Sequence, residues 1–362
     1  MRMPEESPTE RRKRDHVEMI LQENTAADHN FWNDIHLVHN PLPEVDYDAI
    51  DTTTYFFEKK LAAPLIISSM TGGFGGGREI NEALARGAAE VGVAMGVGSQ
   101  RAAIEKPELE ATYSVAADYD VPVRFANLGA PQLVAQGAKR AYGMADAKHA
   151  MDMVKAHGLI IHLNFLQEVV QPEGDKKAAG VLAAIEALAR ELPILAKETG
   201  AGVSRDAAHR LKTAGVRAID VGGMGGTSFS AVEFYRAKKE ENPMKARLGT
   251  TFWNWGIPTP ASLLLANVGL PLVATGGVRS GLDVARSVVL GAQLAGMAKP
   301  MLEAAKKGHQ AVVDELRAVI EELKAAMFLA GAKDLVDLGK REALVLRPAS
   351  DWMEYARAQL GS

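Results

Sequence analysis

Two glycines and an arginine, Gly276-Gly277-Val278-Arg279, close an apolar run from Pro271 to Ala274. Glycine lets backbone N–H groups come close to an anion, and the arginine adds fixed positive charge. A helical pattern with Leu282, Ala285, Val288 and Val289 on one face follows, then a second apolar run, Gln293 to Ala298, containing Ala295 and Gly296. Strand, glycine turn, helix and strand make a βα unit whose crossover forces the strands parallel. Two neighbouring strand ends rich in N–H donors form a phosphate cradle, where the last two strands of a (β/α)8 barrel commonly hold one. A tight turn needing glycine for steric reasons alone is the bland alternative.

Two further residues carry chemistry by type and place. Lys197 follows a short apolar run, Ile194 to Ala196. At a strand end it suits either a Schiff base with a carbonyl substrate or a standing charge against a bound anion. Glu168 ends the segment His162-Leu163-Asn164-Phe165-Leu166-Gln167-Glu168. A carboxylate beside an amide and an imidazole suits Mg2+ when phosphate oxygens complete the shell.

These positions need a scaffold, and the chain supplies a regular βα rhythm. Strands are expected at Leu65 to Ser68, Val93 to Val97, Val123 to Ala126, Leu159 to Leu163, Ile194 to Ala196 and Ala218 to Val221, with Pro271 to Ala274 and Gln293 to Ala298 as the seventh and eighth. Apolar-periodic helices such as Glu79 to Gly92, Ala178 to Glu191 and Asp206 to Ala214 lie between them. Eight repeats predict an α/β fold of the (β/α)8 TIM-barrel type. A doubly wound sheet competes poorly, because no GxGxxG opens a first strand. Functional residues of a barrel sit at the C-terminal strand ends. Here these are Ser69, Met70 and Thr71; Ser99, Gln100 and Arg101; Asn127; His162, Asn164, Gln167 and Glu168; Lys197; Thr227; and Gly276, Gly277 and Arg279. The ring is polar and mildly cationic with one prominent carboxylate, and suits a phosphorylated ligand with an amphipathic body.

Residues 1–60 read as an N-terminal extension and 61–362 as the barrel. The extension holds a helical stretch, Thr9 to Gln22, with Thr9 as a possible cap and the basic run Arg11-Arg12-Lys13-Arg14 in its first turns. Acidic Glu5, Glu6, Glu10, Asp15 and Glu18 and basic Arg2 surround that run. Cations at a helix N-terminus oppose its dipole, so the run is either a solvated surface helix or an arm carrying charge to an anion. His29, His36 and His39 lack metal-ligand spacing and read as structural. Phe229 to Pro260 is a long insertion, suited to a lid or a subunit contact. Helices at Lys307 to Leu329 and Ala332 to Leu338 suit a closing cap.

The composition narrows the class. Of 362 residues 47% are hydrophobic, enough for one large core, and a net charge of −4 argues against a nucleic-acid binder working through bulk positive charge. Cysteine is absent, which removes disulfides, thiolate nucleophiles and cysteine-bound metals together. With neither a signal peptide nor an apolar run of bilayer length in view, a cytoplasmic protein without stable membrane insertion is expected.

Taken in order, RRKRDH, SSMTGG, GSQR, ANLGA, IHLNFLQE, QPEGD, AKETGAG, DVGGMGGTSF, ATGGVRSG and LGAQLAGMA resemble the type 2 isopentenyl-diphosphate isomerases over nearly the whole chain. IHLN..QE..QPEGD is the most discriminating part. The resemblance implies an FMN-dependent (β/α)8 barrel that interconverts isopentenyl and dimethylallyl diphosphate by a 1,3-allylic proton shift in isoprenoid biosynthesis. It implies reduced FMN, Mg2+, NADPH as reductant and a homo-oligomer, tetramer or octamer. Carried over by motif, FMN would contact Ser69, Met70, Thr71, Ser99, Asn127, Lys197 and Thr227, its phosphate resting on Gly276, Gly277, Val278, Arg279, Ala295 and Gly296. The substrate diphosphate would meet Arg12, Lys13, Gln100, Arg101, His162 and Gln167, with Mg2+ on Glu168. Gln167, Lys197 and His162 would be the catalytic side chains, and the arm would order over the bound diphosphate. Phe165 stands where a smaller residue or proline is expected.

Three rivals share parts of this pattern. FMN-dependent 2-hydroxy-acid oxidases would carry a His-Gly-Arg tripeptide between Lys197 and Gly276, and none occurs. An inosine-monophosphate-dehydrogenase-like barrel needs a cysteine nucleophile. A non-catalytic barrel holding a phosphorylated metabolite would purify colourless.

Overall fold

The computed structural model describes residues 7–360; Arg2, Glu5 and Glu6 lie outside the described residues. Eight parallel strands close into a barrel. Strands one to eight are Leu65–Ile67, Ala94–Gly96, Arg124–Gly129, Gly158–Leu163, Ile194–Glu198, Ala218–Asp220, Leu272–Thr275 and Leu294–Met297. Strand eight pairs with strand one, Ala295 opposite Leu65, which closes the ring. Helices cover the outer face, so the strands are buried on both sides and read as continuous apolar runs. Each strand sends a side chain inward to a common layer that includes Ile66, Ala94, Phe125, Ile160, Leu195, Ala218, Val273 and Leu294.

Below that layer a hairpin, Thr54–Phe56 paired with Lys59–Leu61, plugs the barrel with Phe56 and Leu61. Its turn residues Phe57 and Glu58 take φ of 47° and 63°, a conformation usually left to glycine or asparagine, so no turn signal marks it in the sequence. A second ribbon joins Ile35–Leu37 to Ala343–Val345. His36 lies in it, and His29 pairs with Asp34 at 2.8 Å.

Several elements differ from the sequence-based expectation. Strands three and five run on to Gly129 and Glu198, so Asn127 and Lys197 are strand residues and not loop residues. The N-terminal helix is Pro8–Gln22, capped by Ser7 and not Thr9. A reciprocal capping box with Glu10 offsets the cost of the basic run. In the helix Gly281–Val289 the buried set is Gly281, Asp283, Val284, Ala285, Ser287 and Val288, while Leu282 is 38% exposed. This face turns toward the long helix His309–Leu329: a Cβ on Gly281 would stand 2.1 Å from the Val319 carbonyl. The 229–260 insertion is largely helical, Phe229–Lys239 and Pro243–Thr251. Beyond the long helix and the short one at Leu335–Leu338, a final helix, Ala349–Leu360, has no counterpart in the expected elements. No helix among the described residues is long and apolar enough to cross a membrane.

Candidate active site

The C-terminal strand ends surround a cavity of about 600 Å3. Its first end is the glycine turn after strand seven. Gly276 and Gly277 take φ of 104° and 82°, and a Cβ on Gly276 would stand 2.0 Å from the Gly223 carbonyl. The Gly276 carbonyl accepts from Trp32 Nε1 (3.0 Å) and the Gly277 carbonyl from Asn30 Nδ2 (2.8 Å). In a trans peptide the N–H points away from its carbonyl, so these bonds aim the Gly277 and Val278 N–H groups the opposite way. Gly276, Gly277, Val278 and Arg279 line the cavity there, with Gly296 from strand eight. Ala295 does not: its N–H is bound to the Pro64 carbonyl and its side chain is buried behind the strand.

Along one wall stand Ser68, Ser69, Met70, Thr71, Ser99, Asn127 and Thr227. The hydroxyls of Ser68, Ser69 and Thr71 are buried without a hydrogen-bond partner. Native proteins rarely leave such groups unmet, so this wall expects a polar ligand. Lys197 belongs to a buried hydrogen-bond network. Its Nζ donates to Asp220 Oδ2 (2.7 Å) and to Thr275 Oγ1 (2.9 Å), and Thr275 in turn donates to Asp220 Oδ1 (2.5 Å). A cradle that a Cβ would fill and a wall of orphaned hydroxyls fit FMN.

The opposite end is cationic. The helix Pro8–Gln22 lies over the mouth and brings in Arg12, Lys13 and His16, which meet Arg101 and His162. Lys13 Nζ donates to the Ser99 carbonyl (2.6 Å) and the Tyr113 hydroxyl (3.0 Å). Burial, then the charges of Arg12 and Arg101, push Lys13 down to about 7. Burial, then Lys13 and Lys197, push His162 down to about 3. Asn127 donates its amide to the Val97 carbonyl, which leaves Oδ1 to accept from His162 Nδ1 (2.8 Å) and assigns a neutral ring with its hydrogen on Nδ1. Gln100 is not part of this end. It is fully buried outside the cavity, its amide spent on the Ala150 carbonyl and the Asn127 N–H.

A bound polyanion favours the protonated lysine, so binding above pH 7 draws a proton onto Lys13. Affinity for inorganic diphosphate is therefore expected to fall as pH rises from 7 to 9, by up to about tenfold per unit. Lys13→Arg, which does not titrate there, should lose this slope. Titration calorimetry on both proteins checks it; parallel slopes would deny Lys13 the proton.

Between the two ends lies a carboxylate cluster richer than the single acid expected. Glu168 Oε1 accepts from Asn164 Nδ2 (3.0 Å), and Oε2 from the Asp175 N–H (2.7 Å) and Gln171 Nε2. Burial raises the Glu168 carboxyl, against the lowering pull of the Asp175 N–H and Arg12. Asn164 Oδ1 is buried and unpartnered. Among the described residues no cluster of three or more His, Cys, Asp or Glu could hold a metal by itself. Glu168 with the free Asn164 oxygen thus fits a cation such as Mg2+ that completes its shell from a phosphorylated ligand.

Sequence reasoning missed Glu233. It is wholly buried on the helix Phe229–Lys239. Its Oε1 accepts from Gln167 Nε2 (2.9 Å) and lies 2.8 Å from His16 Nε2; its Oε2 accepts from Arg236 (2.6 Å). Burial pushes this carboxyl up, but its charged and hydrogen-bonded partners, the permanent Arg236 charge among them, outweigh that and hold it well below the usual range. Burial instead lowers His16. The available signal was a Glu and Arg three residues apart on one helical stretch, Phe229–Lys239. Of the site residues expected from sequence, all but Gln100 and Ala295 line the one cavity.

Residues 254–345 match the family model described as FMN-dependent dehydrogenase. Among solved structures, a mandelate oxidase is similar at TM-score 0.58 and 18% identity, covering 94% of this chain and 99% of its own. A lactate oxidase described as putative, from Pediococcus acidilactici, gives 0.59 at 17%, covering 94% and 88%. At these identities the likeness is one of fold. Barrel, cradle and family model together define an enzyme of the FMN-dependent (β/α)8 class.

Full-length relatives sharpen this. The chain is 48% identical to the isopentenyl-diphosphate delta-isomerase of Thermoplasma volcanium, over 95% of this chain and 99% of that protein. It is 44% identical to that of Archaeoglobus fulgidus, over 96% and 99%. It belongs to the isopentenyl-diphosphate delta-isomerase family.

Proposed function

We propose that the protein interconverts isopentenyl and dimethylallyl diphosphate by a 1,3-allylic proton shift, with reduced FMN and Mg2+. The observation that carries this reading is a single cavity with two anion ends. A glycine cradle suits the phosphate of FMN, and Arg12, Lys13 and Arg101 face a metal-competent carboxylate at a site suited to a diphosphate. The reading also includes NADPH as reductant and a homo-oligomeric assembly.

When bound, reduced FMN supplies a proton donor and acceptor for an unactivated alkene, which side-chain acids of ordinary pKa protonate poorly. The remaining work falls to the chain. Ser69, Met70, Thr71, Ser99, Asn127 and Thr227 would hold the ring, and Lys197 would place positive charge beside it. Glu168 and Asn164 Oδ1 would hold Mg2+ against the diphosphate. His162 and Gln167 would flank the substrate between the ends. Glu233 Oε1, bonded to Gln167 Nε2 and His16 Nε2, would orient those two cavity-lining side chains at the apolar body of the substrate. The Pro8–Gln22 helix, seated over the mouth, would shield that body from water.

An anaerobic assay with isopentenyl diphosphate, FMN, Mg2+ and dithionite tests the reading. Turnover is expected only after reduction, with the flavin spectrum unchanged at the end. Equal activity with oxidised FMN under air would remove reduced flavin from the mechanism. Oxygen uptake with a 2-hydroxy acid would restore the oxidase reading.

A further inference from the structure

Five consecutive residues, Gln171-Pro172-Glu173-Gly174-Asp175, touch three polar centres of the mouth. Toward Glu168, the Asp175 N–H and the Gln171 amide both donate to Oε2. The approach is close: a Cβ on Gly174 would stand 1.7 Å from the Glu168 carbonyl oxygen, so only glycine fits. Toward the cationic end, the buried Asp175 carboxylate takes Arg101 NH1 on Oδ2 (2.6 Å) and Lys139 Nζ on Oδ1 (2.9 Å). Toward the buried acid, Glu173 Oε1 takes Arg236 NH2 (2.9 Å), whose other nitrogen holds Glu233 (2.6 Å).

We propose that this loop is the positioning element that sets the carboxylate Glu168, the arginine Arg101 and the acid Glu233 in one mutual register, with Asp175 and Glu173 as its positioning residues. The proposal rests on the roles given above to Glu168, Arg101 and Glu233. A free arginine spreads over many rotamers, and fixing it beforehand removes an ordering cost from binding. Arg101 is fixed from both sides, by Glu105 at 2.7 Å and by Asp175. Asp175 is itself negative and sits behind the diphosphate end. Charge alone and positioning therefore make opposite predictions for its removal.

The test uses the FMN-loaded protein with inorganic diphosphate and Mg2+ as the probe. Positioning predicts that Asp175→Asn weakens diphosphate binding by about tenfold or more while FMN affinity holds. Asp175→Glu keeps the charge but displaces the carboxylate by one methylene, and should weaken binding in the same direction. Glu173→Gln should leave diphosphate affinity within twofold but lower kcat for isopentenyl diphosphate several-fold at unchanged KM. Tighter or unaltered diphosphate binding in both Asp175 variants, or a normal kcat in Glu173→Gln, overturns the proposal. A wild-type protein that does not isomerise isopentenyl diphosphate would strike at the function itself. The diphosphate measurements would still judge the grip of Asp175 on Arg101.

Discussion

Glu233→Gln is expected to lower kcat by up to roughly 10², the cost of misplacing side chains that meet the substrate, with little change in KM. The split follows from geometry. The diphosphate end is built from Arg12, Lys13 and Arg101, whereas the Glu233 carboxylate is held by Gln167, His16 and Arg236. The amide keeps the size but loses the charge that fixes Gln167 and His16. Stability should fall by about 1–3 kcal/mol, since Arg236 loses a charged partner but keeps Glu173. The pH dependence has a definite sign. A depressed carboxylate contributes stability that is fully present above its ordinary value, 4.5, and lost as pH falls through the folded value. Wild type should therefore shed stability below about pH 4.5, and the variant should show a shallower acid limb. Thermal melts from pH 3 to 7, beside kcat and KM at pH 7, measure both. A kcat within threefold of wild type would deny Glu233 that orienting role.

Glu168→Gln should cost roughly 10²–10³ in turnover, the effect of deleting one preorganised electrostatic group. Much of the loss should appear as a higher Mg2+ requirement. FMN should still bind, because its cradle at Gly276, Gly277 and Gly296 lies at the other end of the cavity. The oxygen of the substituted amide can still accept from the Asp175 N–H and Gln171, but its NH2 then faces the Asn164 NH2 and that contact is lost. A direct acid–base role would instead persist at saturating Mg2+. Titrating Mg2+ against initial rate separates them, and superimposable curves would sink the metal assignment.

The barrel was legible because its strands are buried on both faces and separated by helices of the right period. The cradle was legible because close backbone approach needs glycine, and glycine shows in any sequence. What escaped was of three kinds. Glu233, Asp220 and Asp175 are carboxylates whose importance lies in partners from distant segments: His16 and Gln167, Lys197, and Arg101. No local spacing announces a contact made across the barrel mouth. Gln100 erred the other way. It sits at a strand end beside Arg101, yet it turns inward to bind the Asn127 N–H, and only packing decides between those two directions. The Phe57-Glu58 hairpin failed for a third reason: tertiary burial of Phe56 and Leu61 holds a turn that its own residues disfavour.

The Ile35–Leu37 ribbon has its partner at Ala343–Val345, and Trp32 just before it holds the Gly276 carbonyl. On the ribosome the early segment emerges long before either partner exists. The glycine turn can therefore take its final shape only once most of the chain has been made, and the ribbon closes later still. Such long-range closures are slow steps in folding, and intermediates that await them expose unpaired strand edges. The competence to capture cofactor is thus a late event in the life of each molecule, and nascent chains stalled before strand seven would be barrels in progress with no place to put it.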